Sequence, residues 1–172
     1  AKERLSMRSL SGVKEPEKVA DPLIVHPDVR RMLLTQKAFA EGGRAMLYYA
    51  AMYGDTATYG KTDKDRQAAD DMLGILTPIL KAFLTETGCE SANLGMQVFG
   101  GHGFIKEWGM EQIARDTRIS TLYEGTTGIQ GLDLLGRKIM LSKGSNLNFM
   151  TKEIFKFCKD YGIISKNPHK KS

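Results

Sequence analysis

A chain of 172 residues with 41% hydrophobic and 26% charged content is long enough for one domain with a real core and is ordinary for a globular protein. No apolar run approaches the ~20 residues that a membrane span needs, and the opening residues carry no secretory-signal pattern. The net charge is +5, yet basic and aromatic residues do not interleave as a single-strand nucleic-acid surface requires, which argues against a nucleic-acid partner.

Residues 1–9, which open Ala1-Lys2-Glu3-Arg4 without an initiator Met, read as the end of a helix, and the chain as a fragment of a longer protein. Residues 10–27 hold Gly12, Pro16, Pro22 and Pro27 and read as a loop. A helix is expected from about Asp28, because Val29, Met32, Leu33, Ala40, Gly43, Leu47 and Ala50 recur close to a 3.6 period. It is expected to end around Tyr53-Gly54, before a polar, turn-rich stretch at 54–65. A second pattern runs through Met72, Ile75, Leu76, Ile79, Leu80, Phe83 and Leu84. Pro78 lies inside it, so either Thr77 caps a fresh helix with Pro78 at its first position or one helix kinks there. The pattern resumes through Ala92, Met96 and Phe99 and stops at Gly100-Gly101.

A short helix is expected over 107–117, another from about Gly128 to Met140 with Lys143-Gly144 as its stop, and an amphipathic one over 148–161. Beyond it, Lys166, Lys170 and Lys171 near His169 read as a solvated, frayed end. No strand pattern, internal repeat or low-complexity segment stands out. The expected fold class is all-α, a bundle of long antiparallel helices. Met7, Met32, Met46, Met52, Met72, Met96 and Met110 are expected to fill the core. Cys89 and Cys158 lack metal-type spacing and are too few for a disulfide framework, so two reduced thiols are expected.

Two segments could carry chemistry. Glu124 stands on a Gly-containing link just before a helix, within Arg115-Asp-Thr-Arg-Ile-Ser-Thr-Leu-Tyr-Glu-Gly-Thr-Thr-Gly-Ile-Gln130. Gly125 opens backbone angles that other residues avoid, and Thr127 with Gln130 has capping-box spacing. A carboxylate there is favoured by the positive helix end, while exclusion of water by a ligand would make it a stronger base. The bland alternative is a Glu that merely favours the helix start. Upstream, Gln97-Val-Phe-Gly-Gly-His-Gly103 ends a helix with three glycines and exposes backbone N–H groups. That spacing is not a Rossmann or P-loop fingerprint. His102 has no second ligand at useful spacing, so no metal site is expected. Arg115, Asp116 and Arg118 are expected to form a local ion-pair network. Arg4, taken alone, reads as a surface arginine.

Together, Gln97–Phe104, Glu107, Arg115-Asp116, Ile119 and Tyr123–Gln130 resemble the C-terminal helical domain of acyl-CoA dehydrogenases, in order and with the spacing kept. Arg4 resembles the arginine on the helix that enters this domain in the family. The resemblance covers roughly residues 1–142, with a different loop at 10–27. Gly125–Lys138, Asp21–Leu34 and Gly100–Gln112 resemble in particular the branch that includes 3-methylmercaptopropionyl-CoA dehydrogenases, whose members carry an extra helical region at the C-terminus. Residues 1–145 are therefore expected to be the dehydrogenase domain, and 146–172 the start of that extra region.

The resemblance implies a fatty-acid β-oxidation type of oxidoreductase: α,β-dehydrogenation of an acyl-CoA thioester to a trans-2-enoyl-CoA with FAD as cofactor. It implies Glu124 as the α-proton-abstracting base and Gly125 against the thioester. It implies flavin contacts from Arg4, Gln97, Gly100, Gly101, Thr126 and Gly128, some reaching a neighbouring subunit's flavin. Gly128 replaces a side chain that often contacts FAD, Pro27 stands where many relatives have Gln, and Ser6 and Met7 where many have Gln and Phe. An electron-transfer flavoprotein as acceptor, a homo-oligomer, and a bacterial cytoplasmic or mitochondrial matrix location are implied as well. An acyl-CoA oxidase and a non-catalytic helical scaffold of the same fold are the alternatives. Without the family's N-terminal and middle domains, the chain alone is expected to bind FAD poorly and to be inactive.

Overall fold

The structure, a computed structural model, describes residues 1–163, so Lys166, His169, Lys170 and Lys171 lie outside the described residues. The described helices are α1 Pro27–Tyr59, α2 Asp63–Phe99, α3 Gly101–Phe104, α4 Met110–Ile119, α5 Thr127–Leu132 and α6 Ser145–Asp160. Short 3-10 turns occupy Leu23–Val25 and Lys106–Trp108, and a π-helical segment occupies Asp133–Ile139. Among the described residues there is no strand, only an isolated antiparallel bridge between Leu5 and Pro22. The fold is all-α.

Residues 1–9 are not the end of a helix, which corrects the expectation. Their backbone groups find partners across the following loop instead. Ser6 N–H donates to the Asp21 carbonyl (2.9 Å), Asp21 N–H to Met7 (2.8 Å), Leu23 N–H to Arg4 (2.9 Å) and Ile24 N–H to Ala1 (3.1 Å). Main-chain donors and acceptors must be satisfied somewhere, and here the partners lie 14 to 23 residues away, beyond the reach of a local periodicity.

α1 also runs past the expected stop at Gly54. A helix-interior glycine costs only about 1 kcal/mol. The polar residues that follow bond backward along the helix: Thr56 Oγ1 donates to the Met52 carbonyl (2.8 Å) and Thr58 Oγ1 to that of Gly54 (3.0 Å). α2 then starts on a side-chain cap, since Asp65 N–H donates to Thr62 Oγ1 (3.1 Å) and that hydroxyl donates to Asp65 Oδ2 (2.8 Å). Pro78 lies inside a continuous α2. Of the two arrangements left open, a fresh helix start at Thr77 is therefore excluded. Thr77 Oγ1 instead donates back to the Leu73 carbonyl (2.7 Å).

The chain divides into two compact units, residues 1–47 with 82–126 and residues 48–81 with 127–172. In the first, α1 and the second half of α2 run antiparallel. A Cβ on Gly43 would stand 2.8 Å from Leu84 Cδ2, one on Gly95 3.4 Å from Gln36 Oε1, and Phe39 meets Phe83 edge to face at 6.3 Å. α4 packs antiparallel to α2 on small residues: a Cβ on Gly88 would meet Thr117 Cγ2 at 3.2 Å, and one on Gly95 would meet Met110 Cε at 2.8 Å. Cys89 Sγ donates to the Thr117 carbonyl at 3.5 Å.

The second unit centres on Met72 and Ile75, which are fully enclosed, with Ala50, Ala69, Leu76 and Leu80 around them. Each large side chain so enclosed contributes about 1.5–3 kcal/mol. Tyr53 hydrogen-bonds Tyr49 at 3.0 Å, and its phenol is pushed well above its usual range, first by burial and then by that bond. The stretch after α5 widens into the π segment, which periodicity did not foreshadow. It is tied by an Arg137–Asp133 ion pair at 3.3 Å. The expected stop at Lys143-Gly144 is present: Gly144 takes φ 79, and its N–H caps the Ile139 carbonyl at 2.9 Å.

Candidate active site

α2 ends at Phe99 because Gly100 turns out of the helix at φ 63, its N–H still bonded to the Gln97 carbonyl at 3.0 Å. The next two residues start α3. A Cβ on Gly103 would stand 2.4 Å from the Met96 carbonyl oxygen, so α3 lies against the end of α2 with no room for a side chain. The return places Gln97, Gly100, Gly101 and His102 beside Arg4 of the N-terminal segment in one cleft of about 860 Å³. Arg4 Nη1 lies 3.5 Å from His102 Nδ1. The single tryptophan, Trp108, packs edge to face on His102 (5.0 Å) and on Phe99 (6.2 Å).

This donor set has a recognisable chemistry. A permanently charged guanidinium, a carboxamide and two glycines with open space where a Cβ would stand suit an anionic, hydrogen-bonding ligand that approaches the backbone closely, while two carboxylates, Glu3 and the Arg31-paired Asp28, also line the cleft. The aromatic wall adds an apolar side. Such residues fit a phosphate-bearing cofactor with an aromatic ring system. His102 and Trp108 carried no signal of this in the sequence, because their pairing with each other and with Arg4 is tertiary.

Four hydrogen bonds converge on the side chain of Asp21, at the end of the loop that follows the segment carrying Arg4. The Asp21 carboxylate is completely buried and accepts from the N–H groups of Ser9 (2.8 Å), Lys14 (2.9 Å) and Glu15 (2.8 Å), with Arg8 Nη1 at 3.4 Å. Those bonds, the one from Ser9 foremost, lower its pKa from the usual 3.8 to about 2, against the opposing effect of burial.

Glu124 stands on the link between α4 and α5. After α4 the chain turns through Leu122 N–H to the Ile119 carbonyl (3.0 Å) and Tyr123 N–H to the same oxygen (3.3 Å). The buried Thr121 anchors the turn by donating to the Arg118 carbonyl at 3.0 Å. Glu124 then takes φ 54 and Gly125 φ 95, and α5 begins at Thr127. A left-handed backbone at a glutamate costs of order 1–2 kcal/mol. Thr126 is the last residue of the first unit, and Gly128 lies in the first turn of α5.

The expected Arg115–Asp116–Arg118 network is corrected. Among the described residues no ion pair joins these three. Asp116 accepts from Gln112 Nε2 at 2.6 Å, and Arg118 donates to Thr121 Oγ1. Arg115 and Arg118 instead border a second hollow with Lys106 and Glu111. No group of three His, Cys, Asp or Glu residues among the described residues could hold a metal ion. No described helix is long and apolar enough to cross a membrane.

Comparison with known proteins assigns the class. Residues 3–140 match the family model of the acyl-CoA dehydrogenase C-terminal domain, and the chain belongs to the acyl-CoA dehydrogenase family. It is 45% identical over 144 residues to a 3-methylmercaptopropionyl-CoA dehydrogenase of Ruegeria pomeroyi, covering 84% of this chain and 24% of that protein. It is 38% identical over 143 residues to a butyryl-CoA dehydrogenase of Syntrophomonas wolfei, covering 83% and 23%. It is 35% identical over 158 residues to the broad-specificity linear acyl-CoA dehydrogenase FadE5 of Mycobacterium tuberculosis, covering 91% and 26%. The chain thus spans about a quarter of the length of these relatives.

Proposed function

We propose that this chain is the C-terminal helical domain of an FAD-dependent enzyme that converts an acyl-CoA thioester to its trans-2-enoyl-CoA, with Glu124 as the base. The observation that carries the assignment is the backbone at Glu124, whose φ of 54 is one that glycine or asparagine adopts more readily. Strain at an acidic residue in a link between two helices points to a side chain retained for its chemistry.

Bound FAD would accept the β-hydride at its N5. The chain's own residues do the rest. A carboxylate oxygen of Glu124 takes the α-proton and holds it. Gly125, without a side chain, lets the thioester lie against the backbone. Arg4 and Gln97 supply charge and hydrogen bonds to the cofactor's polar groups, while Gly100 and Gly101 admit it close to the main chain. Thr126 offers a hydroxyl to the cofactor and Gly128 a backbone contact. Among the substrates named for the relatives, the 3-methylmercaptopropionyl thioester is the first candidate, because that relative is 45% identical.

In this reading residues 1–145 form the dehydrogenase domain, and the chain from 146 onward, carried by α6, begins an additional helical region. The family model ends at residue 140, whereas a 158-residue match in a 172-residue chain runs past it. A homo-oligomer and an electron-transfer flavoprotein as acceptor complete the proposal. Its test is Glu124→Gln in the full-length protein. Turnover is expected to fall by ~10²–10⁴-fold, the usual contribution of a positioned base, with FAD still bound. Turnover within a few-fold of wild type would overturn the assignment.

A further inference from the structure

We propose that Asp21 is a positioning residue for Arg4: its buried carboxylate closes the 8–21 loop and so holds the segment that lays Arg4 in the cleft. The proposal rests on the reading of that cleft as the flavin site.

Asp21 does not line the cleft, so any influence on a ligand there passes through other residues. Its side chain gathers the loop. Oδ2 accepts from Ser9 N–H, and Oδ1 from Lys14 and Glu15 N–H and from Arg8. The Arg8 guanidinium in turn donates to the carbonyls of Glu15 (2.9 Å) and Lys18. Asp21's own backbone is the first rung of the pairing with residues 1–7. Its N–H donates to Met7 and its carbonyl accepts from Ser6, and the next rung is Leu23 N–H to the Arg4 carbonyl. One residue thus terminates the loop and starts the pairing that fixes Arg4.

Two further observations support a held geometry. Met7 sits at φ 58, an arrangement that a side-chain-bearing residue keeps only when its surroundings impose it, and Asp21 bonds its carbonyl. The Ser6 carbonyl is pinned by His26 Nε2 at 2.7 Å. An arginine side chain loses much rotamer freedom on binding, and a fixed backbone under it limits what remains to be ordered.

The test is a double-mutant cycle on FAD affinity in the full-length protein, with the thermal midpoint of each variant measured alongside. Arg4→Ala is expected to weaken FAD binding by ~10-fold or more, as loss of a charge-assisted bond does. Asp21→Ala alone should weaken it by a similar ~10-fold, but by less than ~2-fold when Arg4 is already alanine. Where Asp21→Ala does not fold, Asp21→Asn, which keeps one accepting oxygen, enters the same cycle with a smaller expected loss. An equal loss with and without Arg4, or no loss from the Asp21 variants, would overturn the positioning role. Unchanged affinity in Arg4→Ala would instead overturn the flavin reading of the cleft, and the positioning role with it.

Discussion

Glu124 carries two opposing demands. Its backbone at φ 54 favours glycine, while the proposed proton abstraction needs a carboxylate. Glu124→Gly relieves left-handed strain but adds chain entropy and removes whatever the side chain contributes to the interactions of Glu124, so stability should change by less than ~1 kcal/mol. The same change should abolish turnover. Thermal or urea unfolding together with an activity assay checks both, and a loss of more than ~1 kcal/mol would contradict the strain argument. The link's composition singled out Glu124 as a candidate in the sequence, and Gly125 announced the turn. The positive φ of Glu124 itself was not announced, because residue type does not encode it.

Asp21 gives a pH dependence of definite sign. Its folded-state pKa is depressed, from the usual 3.8 to about 2. Its contribution to stability is therefore complete above about pH 4 and is lost as pH falls toward 2. The gap in melting temperature between wild type and Asp21→Asn should be constant above pH 4 and close on acidification. A gap that instead widens toward pH 2 would contradict this. Nothing in the Pro-rich stretch at 10–27 singled Asp21 out, since its four partners lie along an irregular loop.

Among the elements, those whose periodicity is local were readable. The buried Met72, Ile75, Leu76 and Leu80 are the positions that the 3.6 period marks in α2, and the stops at Gly100 and Gly144 follow from glycine's backbone freedom. Ile75→Ala should cost about 2–5 kcal/mol, a loss of transfer energy plus a cavity, measurable by denaturant unfolding. The sequence misled where bonds are made at a distance or where one side chain offsets another's defect. Residues 1–9 pair with residues beyond 20. Thr56 and Thr58 bond backward and carry α1 past Gly54. The π segment escapes notice because seven residues do not distinguish its pitch from an ordinary helix.

The α2–α3 junction makes a sharper case. Gly103 looked like one of three equivalent turn glycines, yet it is the one whose added Cβ meets the Met96 carbonyl at 2.4 Å. Gly103→Ala should destabilise by about 1–3 kcal/mol through that clash. Gly101→Ala, with open space around it, should cost under ~0.5 kcal/mol. Equal effects at the two positions would contradict the packing argument.

Taken entire, the chain covers about a quarter of its relatives and leaves large apolar side chains such as Leu132, Leu135, Met140 and Leu141 exposed. Since the chain makes up only about a quarter of its relatives' length, the isolated chain should retain less than stoichiometric FAD under the proposed function, as flavin absorbance after gel filtration would show. The family and its all-α fold were legible because the two glycine-containing segments keep order and spacing over many residues.

Glu124 is proposed to begin a flavin-dependent dehydrogenation of an acyl-CoA. An anaerobic titration of the full-length protein and its Glu124→Gln variant tests it most directly, with a panel of acyl-CoAs that includes the 3-methylmercaptopropionyl thioester. The oxidised flavin absorbance is expected to bleach in wild type and to persist in the variant. Bleaching in both, or in neither despite bound FAD, would contradict it.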